Sequence, residues 1–464
     1  MTATARVVLT GAAIATVDAA GTEYDEGHVI VEGDRVVAVA PGEPEFDPSA
    51  RTVDASGCLI TPGLVNTHHH LYQWLTRGRA QQSPLFDWLT ELYPAWTALD
   101  EENTLAAATA GLAQLALSGC TTAADHHYVF PRHGGDVAGS VVAAADRVGT
   151  RLHLVRGSMD RGRAHGGLPP ESLVEDTDEA LAGTEAAIDR FHDPAPNAAV
   201  RVAVGPCSPF SVSDRLMRES ASLARRRGVR LHTHLAETTE EHHRCLAEFA
   251  RTPVEYADEL GWLGPDVWLA HGVHLSPAAV ARLAATGTGV AHCPSSNARL
   301  AAGTAPVRDL LAADASVGLG VDGAASNEHG GLGDEIRQAM LVARLRDGAQ
   351  ALTAREALWL ATAGGARCLG RQHELGSVEV GKLADLAVWR VDGIGHAGIA
   401  DPVAALAFGA SPPLELLIQG GRTLVEAGEL TTVPAGEVAR DLAAASAAFA
   451  PTSATGTAPK EVLR

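Results

Sequence analysis

From Thr61 to about Gly365 the sequence alternates brief apolar runs with Ala- and Leu-rich helical stretches, the pattern of parallel strands joined by crossover helices. Eight such runs can be counted: Leu64 to His68, Thr121 to Asp125, Arg151 to Gly157, Val200 to Gly205, Arg230 to His234, Val267 to His271, Gly289 to His292 and Val317 to Asp322. Eight parallel strands close a barrel, and about 300 residues suit a (β/α)8 TIM barrel carrying insertions. Active sites of that fold lie at the carboxyl ends of the strands. Nearly every run here ends in a polar residue.

The flanks have a different texture. Residues 1–60 and 366–434 read as short alternating strands with Gly and Asp in the turns, so the two ends are expected to form one small β-sandwich domain beside a barrel spanning 61–365. Residues 435–464 read as an Ala-rich helix followed by a loose tail, because the Pro, Ser, Thr and Gly of its last segment cannot bury enough surface to order it. The connection after the first barrel strand is rich in aromatics (Tyr72, Trp74, Phe86, Trp88, Tyr93, Trp96) and is a candidate cover for a site.

Charge narrows the function. With 36 Lys and Arg against 56 Asp and Glu the net charge is −20, which argues against nucleic acid polymers, since these bind through paired Lys and Arg. No run reaches the roughly 18 uncharged apolar residues of a membrane span, and the start lacks a signal pattern; a cytoplasmic protein with no membrane partner is expected. The six cysteines have no CxxC spacing, so neither a disulfide framework nor a thiolate zinc site is indicated.

The strand ends carry the chemistry. His68 and His70 are two apart on a strand, which puts both side chains on one face and suits a metal. The fifth run offers His234, with Glu237 three residues on; the sixth ends in His271 and the eighth in Asp322. One such residue alone would be read as a structural hydrogen-bonder, but several at the same mouth point to a metal site.

These segments (ITPGLVNTHHH, HTHLAE, LAHGVHL, HCPSSN and GVDGAASN, in that order) resemble the amidohydrolase superfamily, in particular its guanine-deaminase and triazine-hydrolase branch. The resemblance implies one divalent metal held by His68, His70, His234 and Asp322, with Glu237 as proton shuttle and His271 as the water-orienting histidine; Asp322 would also act catalytically. Binuclear relatives bridge their metals with a carboxylated lysine at the fourth strand end, yet the lysines here are Lys382 and Lys460 alone, both outside 61–365, so a mononuclear site is expected. Three imidazoles and a carboxylate suit Zn²⁺, and Fe²⁺ accepts the same ligands.

Further segments (THHHLYQ with LTRGRA, LFDWLTELYPAW, TTAADHHYVFP, VGPCSPFSVS) resemble bacterial 8-oxoguanine deaminases. The expectation is hydrolytic deamination of an oxidised or substituted guanine to urate and ammonia, with pterins and isocytosine as related substrates and s-triazine hydrolysis as the alternative. A non-catalytic metal-dependent binding protein is the reading from another class, disfavoured because binding needs no proton shuttle. Gln73, whose amide both donates and accepts, suits a lactam edge; Trp96 or Trp74 could stack a flat ring; Cys207 and Ser208, and Asp125 and His126 at the second strand end, are further candidate substrate contacts. His292 is a candidate support for the ligands, Ser326 and Asn327 for the loop holding Asp322, while His242 and His243 read as a solvated helix face. A homo-oligomer is left open.

Overall fold

The computed structural model describes residues 6–449; the loose tail expected at the carboxyl end lies outside them. The chain begins with β1 (Arg6–Ala15), β2 (Glu23–Glu32), β3 (Arg35–Pro41), β4 (Arg51–Asp54) and β5 (Cys58–Pro62). The barrel strands follow: β6 (Leu64–Asn66), β7 (Cys120–His127), β8 (Arg151–Ser158), β9 (Val200–Pro206), β10 (Arg230–Leu235), β11 (Val267–His271), β12 (Gly289–His292) and β13 (Val317–Leu319). They pair in sequence order, all parallel. Thr67 closes the ring, its backbone N–H and its hydroxyl both donating to the Leu319 carbonyl at 2.9 and 2.8 Å. The (β/α)8 barrel read from the sequence is the observed fold.

Every residue of β7, β8, β11 and β12 is buried, as expected for strands covered by helices outside and filled by side chains inside. Several of the helices begin at side-chain caps, among them Asp100 for Glu101–Leu117 and Thr238 for Thr239–Phe249, which satisfy otherwise unpaired first-turn N–H groups. The first and eighth strands are shorter than their apolar runs: regular pairing stops at Asn66 and Leu319. His68, His70 and Asp322 therefore stand past the last ladder bonds, where the chain turns inward. Asp322 does so at φ +60°, with its Oδ1 accepting from the Gly323 N–H at 2.7 Å.

Both ends of the chain build one mixed nine-stranded sheet. β14 (Leu386–Arg390) pairs antiparallel with β5 and with β15 (Leu414–Gln419), and β16 (Arg422–Glu426) and β17 (Glu429–Leu430) complete it. Its inner face encloses its own apolar core, including Leu9, Val29, Val31, Ile60, Leu386 and Ile418. A helix follows at Ala435–Ala448.

Candidate functional site

At the carboxyl ends of the barrel strands three imidazoles face one another. The His70 and His234 Nε2 atoms are 3.0 Å apart, and Asp322 Oδ1 lies 3.3 Å from the Nε2 atoms of both His68 and His70. The opposite nitrogens are committed: His70 Nδ1 bonds the His126 carbonyl at 2.7 Å and His234 Nδ1 the Cys207 carbonyl at 2.7 Å. A carbonyl only accepts, so each Nδ1 carries the proton and each Nε2 presents a bare lone pair. His68 reaches the same state through a relay. His232 Nδ1 donates to the Trp268 carbonyl (2.8 Å), leaving its Nε2 to accept from His68 Nδ1 (2.8 Å), and His68 Nε2 has no hydrogen-bond partner.

Lone pairs held face to face repel unless a cation lies between them. Burial holds His68, His70 and His234 below the usual imidazole range, so protonation is a poor remedy. Burial pushes the Asp322 carboxyl up, but its contact with His68 and the neighbouring His271 and His70 outweigh that and hold it well below the usual carboxylate range. Neutral imidazoles with outward-held protons plus one ionised carboxylate are the donor set of a divalent metal, and the residues present fit one.

Glu237 and His271 adjoin this cluster. His271 Nε2 is 3.6 Å from Glu237 Oε2 and 3.9 Å from Asp322 Oδ2, and its Nδ1 donates to Asn297 Oδ1 at 3.0 Å. Glu237 is pushed well above the usual carboxylate range, first by burial and then by the Asp322 charge. Its loop turns through Ala236 at φ +56°. Glu241 pins that turn, its carboxylate accepting from the Ala236 and Glu237 N–H groups at 2.9 and 2.8 Å; burial lifts the Glu241 pKa to about 7. Left-handed backbone at the non-glycine residues Ala236, His271 and Asp322 is the kind of strain that collects at functional sites.

The cavity in front of the cluster is lined by His70, His234, Glu237, His271 and Asp322 on its floor, and by Gln73, Leu85, Trp88, Leu89, Tyr93, Tyr128, Cys207, Ser208, Phe210, Leu300 and Ser326. Gln73 therefore reaches it, with Oε1 buried and unpartnered. Gly323 makes room for that amide, since a Cβ there would lie 1.8 Å from Gln73 Oε1.

The other sequence candidates lie elsewhere. Trp96 is fully buried among Tyr72, Trp88 and Tyr93 and donates to Thr76 Oγ1 at 3.2 Å; Trp74 donates to His69 Nε2. Neither lines the cavity. Asp125 pins the turn after His70 by accepting from the Leu71 N–H at 2.7 Å. His126 stacks behind His234 at 4.8 Å and bonds the Gly205 carbonyl through Nε2. Its Nδ1 is buried and unpartnered, and His68, His126 and His234 all offer nitrogens within 4.8 Å of one another, yet it has no face on the cavity. His292 is buried, and neither ring nitrogen has a hydrogen-bond partner among the described residues. Ser296 and Ser326 bond Asp322 Oδ2, and Asn327 Nδ2 donates to the Val321 carbonyl and Glu335. His242 and His243 lie on the helix Thr239–Phe249, away from the cavity.

Sequence reasoning missed His232, Asn297 and Glu241 as supports, and Tyr128 and Phe210 as walls. His232 had a signal: two residues before His234 on a strand, it shares that residue's face. Asn297 stood within the HCPSSN segment already singled out.

An amidohydrolase family profile matches residues 59–421. The chain is 46% identical over 445 residues to the 8-oxoguanine deaminase of Pseudomonas aeruginosa, covering 94% of this chain and 98% of that one. It is 39% identical over 417 residues to an isoxanthopterin deaminase from an unknown prokaryotic organism, covering 85% and 86%. The crystal structure of the atrazine chlorohydrolase of Arthrobacter aurescens TC1 complexed with zinc superposes with a TM-score of 0.89 at 31% identity, over 95% of this chain and 100% of that one. Among the described residues no helix is long and apolar enough to cross a membrane. Barrel, appended sheet, buried histidine cluster and full-length similarity agree: the chain belongs to the amidohydrolase family and is a hydrolytic deaminase.

Proposed function

We propose that this enzyme deaminates an aminated purine-like heterocycle, 8-oxoguanine before others, to urate and ammonia. The observation that carries the reading is the meeting at one buried site of three bare imidazole lone pairs, an ionised Asp322, and, beside His271, a Glu237 whose proton affinity burial raises, which suits it to take up a proton and pass it on. The similarity to 8-oxoguanine deaminase over nearly the whole chain supports the substrate, as do the aromatic walls and the Gln73 amide.

His68, His70 and His234 through Nε2, with Asp322, would hold one divalent ion, zinc in the first instance; when bound, it acidifies water and so supplies a nucleophile at neutral pH. Glu237 takes the first proton of the attacking water at a carboxylate oxygen and delivers it to the ring nitrogen beside the amine-bearing carbon. His271, its Nδ1–H tied to Asn297, accepts from the water through Nε2 and fixes its direction. Asp322 Oδ2 relays the second proton to the amine, which leaves as ammonia. Gln73 presents donor and acceptor to the lactam edge, and the apolar walls exclude other water.

Ammonia release from a panel of 8-oxoguanine, guanine, isoxanthopterin and isocytosine tests this. We expect kcat/KM for 8-oxoguanine to exceed that for guanine by about 10-fold or more, the scale a few pocket contacts supply; no ammonia from any aminopurine or pterin would overturn the substrate. A second reading, s-triazine hydrolysis, is favoured by the likeness to the atrazine chlorohydrolase. Release of chloride or alkylamine from triazines at rates above ammonia release would establish it instead.

A further inference from the structure

The amino ends of β8, β9 and β10, at the base of the barrel, enclose a second cavity of about 240 Å³. The same strands lead at their other ends to Cys207 and His234, so this cavity and the site described above lie at opposite ends of the barrel. The polar side chains lining it are His153, His192, Arg201 and Arg230; no carboxylate is among them. The chain as a whole is acidic, with a net charge of −20.

The donors are incompletely used. Arg230 gives Nη2 to the Cys368 carbonyl at 2.7 Å, while its Nε is buried and has no partner among the described residues. The carboxylate acting on it, Asp266, is itself paired with Arg225 at 2.9 Å. Arg201 Nη2 meets Glu374 at 2.6 Å and the Ala195 carbonyl at 3.3 Å, but Glu374 also serves Arg371 at 2.8 Å, and among the described residues Arg201 Nε has no partner. One carboxylate thus serves two of the three guanidiniums gathered around His153. His153 is 2% exposed with Nδ1 unpartnered. His192 accepts the Val202 N–H at Nδ1 (3.1 Å), which leaves Nε2 as its donating nitrogen; Asp193, next in sequence, acts on that ring against Arg201 and Arg227. Gly370 completes the wall at φ +67°, where a Cβ would stand 2.7 Å from Arg230 Nη1.

Buried donors without acceptors are costly to leave unmade, and guanidinium forks match tetrahedral oxyanions. We propose that this basal cavity binds a phosphate-type oxyanion, either free orthophosphate or the phosphate end of a nucleotide. The test uses the full-length, metal-loaded protein at constant ionic strength set with chloride, titrated calorimetrically with orthophosphate and, separately, with adenosine monophosphate. Saturable binding is expected, weakened about 10-fold or more in Arg230→Gln, the range for losing a charge-assisted bond. Because Arg230 also holds the Cys368 carbonyl, His192→Phe at the half-buried rim is the second variant, and it should weaken binding while ammonia release in phosphate-free buffer stays at the wild-type rate. Similar affinities for the two probes support a site for the free anion; tighter nucleotide binding supports a nucleotide phosphate. Absence of saturation with either probe, or unchanged affinity in both variants, overturns the proposal.

Discussion

Each ligand-bearing imidazole is oriented by what its other nitrogen touches, so the chemistry of the cluster is set one proton at a time. His232 has the most exposed position in that logic, because His68 depends on its ring and on nothing else for the tautomer that frees Nε2. His232→Phe keeps most of the volume and removes the acceptor. Metal affinity, read by competition with a chelator, is expected to fall about 10- to 100-fold with the fold retained; an unchanged affinity would show that His68 needs no such support. Glu237→Gln tests the proton path: turnover should drop about 10²- to 10⁴-fold while metal content and melting temperature hold, and near-wild-type turnover with metal bound would remove the role. His68, His70, His234, Glu237, His271 and Asp322 could be singled out in the sequence because several polar groups fell at the ends of separate apolar runs, where one alone would have read as a structural hydrogen-bonder, and their roles followed from the family resemblance. His232, Asn297 and Glu241 were not, since each acts through bonds to a ring or a backbone N–H that only the assembled barrel brings within reach.

The helix Leu85–Trp96 covers the cavity, and the aromatic content of its segment announced a cover before the fold was known. Which aromatics face the cavity was not readable, because a helix with apolar residues on several sides takes its phase from what it packs against. Trp96 and Trp74 turned to the core, whereas Trp88 and Tyr93 turned to the cavity. The cover is also closed. Free space in the cavity is about 30 Å³, room for a water molecule, while ligand sites of drug-like size span roughly 300–1,000 Å³. A flat bicyclic base cannot enter unless Leu85, Trp88, Leu89 and Tyr93 move, and these share one helix. Trp88 latches it, donating from Nε1 to the Ala325 carbonyl at 3.2 Å, three residues past Asp322. Hydrogen exchange of residues 85–96 should therefore slow when a non-hydrolysable purine analogue binds, and it should quicken in Trp88→Phe, whose lost bond is worth about 1 kcal/mol. Exchange that is indifferent to both changes would mean the substrate enters by another route. Strand ends show the same limit of sequence reading: apolar runs located all eight strands, but pairing stopped at Asn66 and Leu319 because the chain there bends to aim His68 and Asp322 inward.

At the scale of the molecule, similar alternation at both chain ends foretold a shared sheet, though not its joint with the barrel, a buried Arg151–Asp385 ion pair at 2.6 Å beside which Asn197 accepts from the same guanidinium and Gln419 from the Arg151 backbone N–H. The fold's response to acid follows from how many titratable groups it buries. Ten of the 20 histidines are held below the usual imidazole range, burial being the first cause for each; His127 and His292 are pushed down to about 3. In the unfolded chain these rings take up protons below about pH 6.5, whereas in the fold burial defers that uptake to lower pH. The unfolded state then binds more protons, and stability is lost as pH falls through that range. Four buried carboxyls act in the opposite sense. Asp125, Glu241 and Glu335 are lifted to about 7 and Glu237 is raised well above its usual range, all first by burial. The fold binds more protons than the unfolded chain at these positions between about pH 4 and 7, so their contribution favours the fold in acid and is lost as pH rises through about 7. The histidines outnumber these carboxyls ten to four, and each histidine is worth up to about 1.4 kcal/mol per pH unit against a total stability of about 5–15 kcal/mol. The melting temperature of the metal-loaded protein, followed from pH 7.5 to 4.5 at constant salt, should be highest near neutrality and fall progressively below pH 6.5. A melting temperature that holds or rises down to pH 5 would mean that the buried carboxyls, not the histidines, govern the molecule's response to acid.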